Sequence, residues 1–423
     1  MVLPDAIEIV PPAGPVNALV TVPGSKSITN RALVLGALGS GTTTLRGALW
    51  SEDTEAMVAC LRALGFELEV ASEADEPANR TISIDGLGGV VPPGGTAAEP
   101  LRLFVGNAGT AARFLTAMLC LGKGVYELSG VPRMHQRPQG ELVEALRSLG
   151  YRIDTRNGRL PLRIHGGGRR PGNCSVGLDE SSQFASALLL SAAAGGWEVE
   201  VPGHDAEESP YVEMTRQLVA AFPAGGGEVI VEPDASSGSY LWAAGHLLGG
   251  KLGISVARWP SSRWQIDEDF PRYMPLPDLL SRQSHLGDSI MTAIVMAPFA
   301  DHPVRFTDLG RLRLQECERV EALRTELTKC GAKVVEEGDT LTVQPSELHG
   351  AEIETYGDHR MAMCFAVVGL RVPGIVIRDP ACVAKTFPNF FQKLAGRVPA
   401  GLGVEIRDAD TGRALGFGEL LPG

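Results

Sequence analysis

One short pattern recurs six times along this chain. "SITNRALVLGALGSG" from residue 27 is followed in kind by "GTAARFLTAMLCLGKG" (109) and "SSQFASALLLSAAAGG" (181). It returns as "SGSYLWAAGHLLGGK" (237), "DSIMTAIVMAPFAD" (288) and "DHRMAMCFAVVGLRVPG" (358). Each copy opens on Ser, Thr or Asp, the residues that cap a helix start, runs through Ala and Leu, and mostly stops at Gly. A β-like segment follows each: "TTTLRGAL", "GVYELSG", "WEVEVPG", "LGISVAR", "HPVRFTDL" and "GIVIRDP". Helices this small-residued and apolar on every side have no face to show water, so they belong inside a domain. Repetition of one supersecondary unit is the strongest single constraint a sequence can place on its fold.

A second helix closes several copies. "ACLRALGFELEV" (59), "EALRSLGYRIDT" (144) and "TELTKCGAKVVE" (325) share a helix, a glycine stop and an emerging strand. The repeated unit is therefore read as helix–strand–helix–strand, in an α/β chain. A length of 423 residues exceeds one ordinary core, so two domains with three copies each are expected. Successive copies are spaced unevenly: Ser27 to Thr110 is 83 residues, to Ser182 another 72, to Ser237 another 55, to Asp288 another 51, and to Asp358 another 70. The third and fourth copies are thus shortened. "ARWPSSRWQIDEDFPRYMPLPDLLSRQSH" shows no periodicity and reads as an irregular surface segment. "GSK" and "DASSGSY" sit at junctions between copies, which places one domain at residues 1–24 plus 236–423 and the other at 25–235.

A helix N-terminus carries about half a positive charge and free N–H donors. Buried helices pointing the same way would gather those ends on one face, and two such faces would make a cleft for anions. Net charge does not help: Lys plus Arg number 38 against 50 Asp plus Glu, a formal charge of -12. That balance argues against nucleic acid or an anionic membrane as partner, and any anion must be held by a local cluster. The N-terminus has neither the basic start nor the apolar core of a signal peptide, and no apolar run reaches membrane-spanning length. Seven cysteines, an odd number without a CxxC pair, read as reduced thiols in the cytoplasm.

Cations cluster where the helices begin. Lys26 and Arg31 flank the first start, Arg113 lies one turn into the second, and "PRMHQRP" adds Arg133 and Arg137. "QECER" contributes Arg319, "DHR" Arg360 and "CVAKTFP" Lys385. One such residue alone is usually a solvated surface charge; eight against helix starts and Pro/Gly turns point to anion binding. Asp288 is either a plain N-cap or a functional carboxylate, and both readings stand at this level. Glu316 and Glu318 beside Arg319 are either a salt-bridged turn or an acid, and His359 is either structural or functional. HExxH, paired CxxC and Walker patterns are missing from the sequence, so no metal or P-loop site is expected.

"PGSKSITNRAL", "GNAGTAARF", "PRMHQRP", "ESSQFASALL", "HLGDSIMT", "YGDHRMAM" and "CVAKTFPNFF", in this order, resemble the 5-enolpyruvylshikimate-3-phosphate synthase family. The resemblance runs nearly end to end. It implies two inverse α/β-barrel-like domains, each of three repeats, joined by two crossovers. It also implies enolpyruvyl transfer from phosphoenolpyruvate to the 5-hydroxyl of shikimate 3-phosphate, with phosphate released through a tetrahedral intermediate and no cofactor. Carried over by motif, Ser27, Arg31, Ser181, Ser182, Gln183 and Tyr211 would hold shikimate 3-phosphate, with Gln315 near its ring hydroxyls. Lys26, Gly109, Arg137, Arg319, Arg360 and Lys385 would surround phosphoenolpyruvate, and Arg113 would be a further substrate-binding residue. Asp288 would take the 5-hydroxyl proton, Glu316 would protonate the methylene carbon, and Lys26 would assist. Phosphoenolpyruvate carries about three negative charges, and Arg forks match carboxylate and phosphate oxygens in bidentate fashion.

Two positions depart from the family pattern. Gln315 stands where a lysine is usual, and Glu208 where a phosphate-binding serine is expected, with Ser209 one residue late. These leave room for an enolpyruvyl transferase acting on another phosphorylated cyclitol, or for a non-catalytic anion-binding paralogue. The branch acting on UDP-N-acetylglucosamine fits less well, because no Cys lies between Cys120 and Cys174. Gly109 leaves room for the herbicide glyphosate, whereas Phe114 stands where some sensitive members have Pro. A monomer is expected.

Overall fold

The computed structural model describes residues 3–178, 180–202, 209–249 and 253–422. The chain forms two compact units, residues 1–23 with 233–423 and residues 24–232, and so passes between them twice.

In the 24–232 unit, helices Lys26–Leu38, Gly109–Cys120 and Ser182–Gly195 pack against one another pairwise. Every residue of Gly109–Cys120 is buried, Arg113 included. Leu115, Met118 and Leu119 are completely covered, and each contributes about 2 kcal/mol by leaving water. Packing therefore holds this helix more than local propensity does. Around the helices lie three sheets. Ser40–Leu49 runs parallel to Gly227–Ile230 and antiparallel to Asn79–Leu87, which pairs with Leu68–Ser72. Lys123–Ser129 runs parallel to Leu101–Phe104 and antiparallel to Arg159–Gly167, which pairs with Arg152–Arg156. The third sheet is one parallel pair, Gly172–Ser175 with Trp197–Glu200.

The other unit repeats the plan. Helices Ala235–Leu248, Ile290–Met296 and His359–Gly369 pack pairwise. Val304–Thr307 runs parallel to Leu279–Ser281 and antiparallel to Thr340–Gln344, which pairs with Lys333–Glu337. Ile375–Arg378 runs parallel to Glu352–Ile353 and antiparallel to Ala6–Val10, which pairs with Glu405–Asp408. Ile254–Val256 with Ala18–Val20 makes the reduced sheet. The two reduced sheets belong to the third and fourth copies, whose short spacing leaves no chain for a second pair of strands.

Two sequence expectations need correction. The complete copies in the first and second positions, and the fifth, contain a return strand beyond the helix–strand–helix–strand unit: Asn79–Leu87, Arg159–Gly167 and Thr340–Gln344. The stretch read as irregular surface contains a 3-10 helix, Ile266–Tyr273, and the strand Leu279–Ser281, and it buries Asp267, Phe270, Leu280 and Arg282. A short, Pro-containing turn has no helical period to detect.

Within each unit the three helix starts meet. Asn30 Nδ2 donates to Thr110 Oγ1 at 3.2 Å, and Arg31 Nη2 to Ser186 Oγ at 3.0 Å. In the other unit Ser236 and Ser289 both donate to Asp267, and Arg360 meets Asp288. Ser181, Asp234 and Asp358 cap their helices by accepting from Gln183 N, Ser237 N and Arg360 N. No helix among the described residues is long and apolar enough to cross a membrane.

Candidate active site

Asp288 is not the cap of its helix; Ser289 holds that position. The Asp288 carboxylate instead faces three guanidiniums: Arg360 Nη2 at 3.0 Å, Arg282 Nη2 at 3.3 Å and Arg319 Nη1 at 3.9 Å. Burial alone would raise its pKa, but Arg360, Arg319 and Arg282 hold the carboxyl well below the usual carboxylate range. Glu316 lies in the same cluster, its oxygens 2.8 Å from Arg319 Nη2 and 2.9 Å from Lys385 Nζ. Arg319, 1% exposed, also donates to both oxygens of Asp358, at 2.7 and 3.2 Å, and to Gln315 Oε1 at 3.1 Å. Burial opposes its charge, yet Asp358, Glu316 and Asp288 raise its pKa on balance. Arg360 is raised likewise, against its own burial, chiefly by Asp288, and its Nη1 lies 3.4 Å from the Tyr240 hydroxyl. Five residues expected from the sequence, Asp288, Glu316, Arg319, Arg360 and Lys385, thus come together with Gln315. His359 is buried beside Asp358, its Nδ1 3.6 Å from Oδ1.

The 24–232 unit gathers the rest. Lys26 Nζ donates to Asp53 Oδ2 at 3.0 Å. Arg113 and Arg137 flank Gly109: a Cβ there would stand 2.8 Å from Arg113 Nη1 and 2.7 Å from Arg137 Nη2. Arg113 donates to Gly109 O and Pro138 O, and Arg137 to Asn107 O, carbonyls that orient the guanidiniums without neutralising them. Burial and then the Arg137 charge push the Arg113 pKa down, with Glu180 opposing. Two guanidiniums forced together around a glycine at a helix start favour an anion between them. Arg31 is buried with its guanidinium bonded to Thr215 Oγ1 at 2.7 Å, Ser186 Oγ at 3.0 Å and Ser27 O at 2.9 Å. Burial brings its pKa down to about 10. Its grip on the Ser27 and Tyr211 carbonyls ties two expected acceptor-binding segments to one side chain. Ser181 caps the helix that carries Ser182 and Gln183. Arg133 stands apart, exposed and bonded to Gln136. Glu208 lies outside the described residues.

Sequence reasoning missed Arg282, Asp358 as an ion partner, Asp53 and Asp267. Asp358 and Asp53 were visible only as helix-start acids, and Arg282 and Asp267 lay in the segment without periodicity.

Buried helix starts ringed by Arg and Lys, with two carboxylates among them, define a protein built to bind anionic ligands beside acid and base groups. Solved structures share the fold. EPSP synthase of Acinetobacter baumannii aligns with a TM-score of 0.68 at 22% identity, over 95% of this chain and 100% of that one. The enolpyruvyl transferase NikO of Streptomyces tendae gives 0.67 at 15% identity, over 96% and 99%. Sequence comparison is more specific. The model of the family EPSP synthase (3-phosphoshikimate 1-carboxyvinyltransferase) matches residues 10–269 and 282–394. The 3-phosphoshikimate 1-carboxyvinyltransferase of Opitutus terrae is 40% identical over 93% of this chain and 98% of its own length, and that of Trichormus variabilis 38% identical over 92% and 98%. The chain belongs to the EPSP synthase family.

Proposed function

We infer that this chain carries out the reaction of its family, enolpyruvyl transfer from phosphoenolpyruvate to the 5-hydroxyl of shikimate 3-phosphate, and that Asp288 and Glu316 handle the two protons it moves. The observation that carries the residue assignment is the pair of carboxylates set among Arg282, Arg319, Arg360 and Lys385 at the converging helix starts. Asp288 accepts the hydroxyl proton as the oxygen attacks C2 of phosphoenolpyruvate, and Glu316 delivers a proton to C3. The resulting ketal phosphate collapses by losing a proton from the new methyl group while phosphate departs. Addition at one carbon and protonation at the next need a base and an acid, and no covalent nucleophile.

Phosphoenolpyruvate is assigned to Lys26, Gly109, Arg113, Arg137, Arg319, Arg360 and Lys385. Shikimate 3-phosphate is assigned to Ser27, Arg31, Ser181, Ser182, Gln183 and Tyr211, with Gln315 toward the ring. Arg319 and Lys385 are already engaged by Glu316, so the incoming anions must compete for them. A Glu316 released from those cations can take up the proton it will deliver. The reading takes the protein as a cytoplasmic monomer; seven free cysteines support a reducing compartment. Structural likeness alone does not choose the acceptor, because a differently named enolpyruvyl transferase scores almost as high. Relatives at 38–40% identity over nearly their whole length favour shikimate 3-phosphate.

The test measures phosphate release from phosphoenolpyruvate with and without shikimate 3-phosphate, in the wild type and two variants. Asp288→Asn is expected to leave phosphoenolpyruvate binding nearly unchanged and slow turnover by about 10²–10⁴-fold. Glu316→Gln is expected also to abolish exchange of solvent deuterium into the methylene of phosphoenolpyruvate. Normal exchange in Glu316→Gln would move the acid role to another group, Lys26 first. Full activity in Asp288→Asn would remove the base assignment.

A further inference from the structure

We propose that Asp267 is a positioning residue for this reaction: it grips the chain on both sides of Asp288 and so fixes where the Asp288 carboxylate meets the acceptor hydroxyl. The proposal rests on the reading of Asp288 as the proton acceptor. Asp267 Oδ1 accepts from Gly287 N and from Ser289 Oγ, each at 2.6 Å. Its Oδ2 accepts from Ser289 N at 3.2 Å and from the Ser236 hydroxyl. Gly287 and Ser289 are the two chain neighbours of Asp288, so one carboxylate holds the main chain immediately before and after the reacting group. The three arginines around Asp288 set its charge through its carboxylate oxygens.

Helix geometry shows why an outside group is needed. Ile290–Met296 is seven residues long, and its N-cap Ser289 makes no side-chain cap bond of its own. The free N–H groups of a helix start must find acceptors when buried. Asp267 supplies one from 22 residues away. The same turn also pins the start of helix Ala235–Leu248: Gln265 Oε1 accepts from Ala235 N, and Gln265 Nε2 donates to Pro233 O, both at 2.9 Å. Residues 265–267 thus bracket two of the three helix starts in this unit.

A carboxylate is the side chain this site requires. Four donors converge on two oxygens, and an amide would offer N–H where an acceptor is wanted. Asp267 is 2% exposed and both of its oxygens already accept from groups of the chain, which separates its role from that of Asp288. Burial pushes its pKa up, with the Ser236 and Ser289 hydroxyls opposing, so a second acid is kept close behind Asp288 at a cost. A plain cap would not demand that, since Ser or Thr serves a helix start as well.

The experiment is a mutant cycle on the full chain, with kcat, KM for both substrates, phosphoenolpyruvate Kd by calorimetry and thermal melting as readouts. Asp267→Asn is expected to lower kcat by about tenfold to a hundredfold while changing phosphoenolpyruvate Kd by less than about twofold, the signature of a misplaced group. The double variant with Asp288→Asn should be no slower than Asp288→Asn alone, because a positioning residue has nothing left to position. If Asp267→Asn does not fold, Ser289→Ala removes one of the four bonds and carries the same comparison, with an expected loss of about threefold to tenfold. Full activity in the folded Asp267 variant would overturn the proposal. So would a kcat loss that multiplies with that of Asp288→Asn, since a merely structural residue behaves that way. Full activity in Asp288→Asn itself would remove the underlying reading, and that single variant tells the two failures apart.

Discussion

Gly109 is the residue at which the smallest change should have the largest specific effect. A Cβ at 2.7 and 2.8 Å from two guanidinium nitrogens is closer than side chains tolerate, so Arg137, the more exposed of the two, must yield. Gly109 is no turn glycine with positive φ, so Gly109→Ala adds bulk and no backbone strain. The variant is expected to melt like the parent and to raise KM for phosphoenolpyruvate about tenfold, equal to about 1.4 kcal/mol of binding. Steady-state kinetics at saturating acceptor would show it, and an unchanged KM would take Arg113 and Arg137 out of the phosphoenolpyruvate site. Asp288 gives a second residue-level consequence through pH. Its folded pKa lies below the unfolded value of about 3.9, so the stability it contributes is complete above about pH 4 and is lost as pH falls further. Denaturant unfolding between about pH 2.5 and pH 5 should therefore show a shallower acid limb in Asp288→Asn than in the parent. Identical limbs would mean that the three arginines do not hold that carboxyl ionised.

Helix His359–Gly369 shows, at the scale of an element, how one cap carries two loads. Asp358 Oδ1 accepts from Arg360 N at 2.8 Å while the same carboxylate receives the Arg319 fork. Asn caps helices as well as Asp does, so Asp358→Asn removes the charge and keeps the cap. It is expected to cost about 1.5–3 kcal/mol in urea unfolding, the worth of a buried bond to a charged group. Asp358→Ala should cost about 1 kcal/mol more, the worth of the cap. Equal losses in the two variants would show that the cap contributes nothing. The same helix explains what could be read from sequence and what could not. Its start was legible because Asp before an apolar Ala- and Met-rich run is a local signal, and Arg360 lies within that signal. That Arg319 binds Asp358 was not legible, since the pair is 39 residues apart and only the fold brings them together. Return strands such as Thr340–Gln344, in which buried Leu341 and Val343 alternate with half-buried residues, went unread because five residues make too short an alternation to stand apart from the strand before them. The turn Ile266–Tyr273 went unread for a different reason: "DEDF" looks like a solvated acidic run, and nothing local says that Asp267 is the buried member.

For the whole molecule, the two crossings of the chain make the units unequal. Residues 24–232 are continuous, and their ends lie together, with Ser25 N donating to Glu232 O at 2.8 Å. Gly227–Ile230, near the end of that stretch, pairs with Ser40–Leu49 near its beginning, so among the described residues every sheet strand of this unit comes from within it. The other unit depends on a separate N-terminal piece. Ala6–Val10 lies between Ile375–Arg378 and Glu405–Asp408 and bonds to both, while Ala18–Val20 is half of another sheet. Ile7, Ile9 and Val20 are fully buried in its core. Removing residues 1–23 would take a central strand and leave two facing rows of unpaired N–H and C=O groups, a template for aggregation. Residues 24–232 produced alone are therefore expected to unfold in one cooperative transition followed by circular dichroism. Residues 24–423 should keep that transition while losing the other unit, visible as rapid proteolysis confined to the segment after 232. Adding a peptide of residues 1–23 should restore protection there, because the strand is needed and the covalent link is not. If residues 24–232 alone show no cooperative melt, or if removing residues 1–23 leaves the segment after 232 resistant to protease, the two units do not divide their stability in this way.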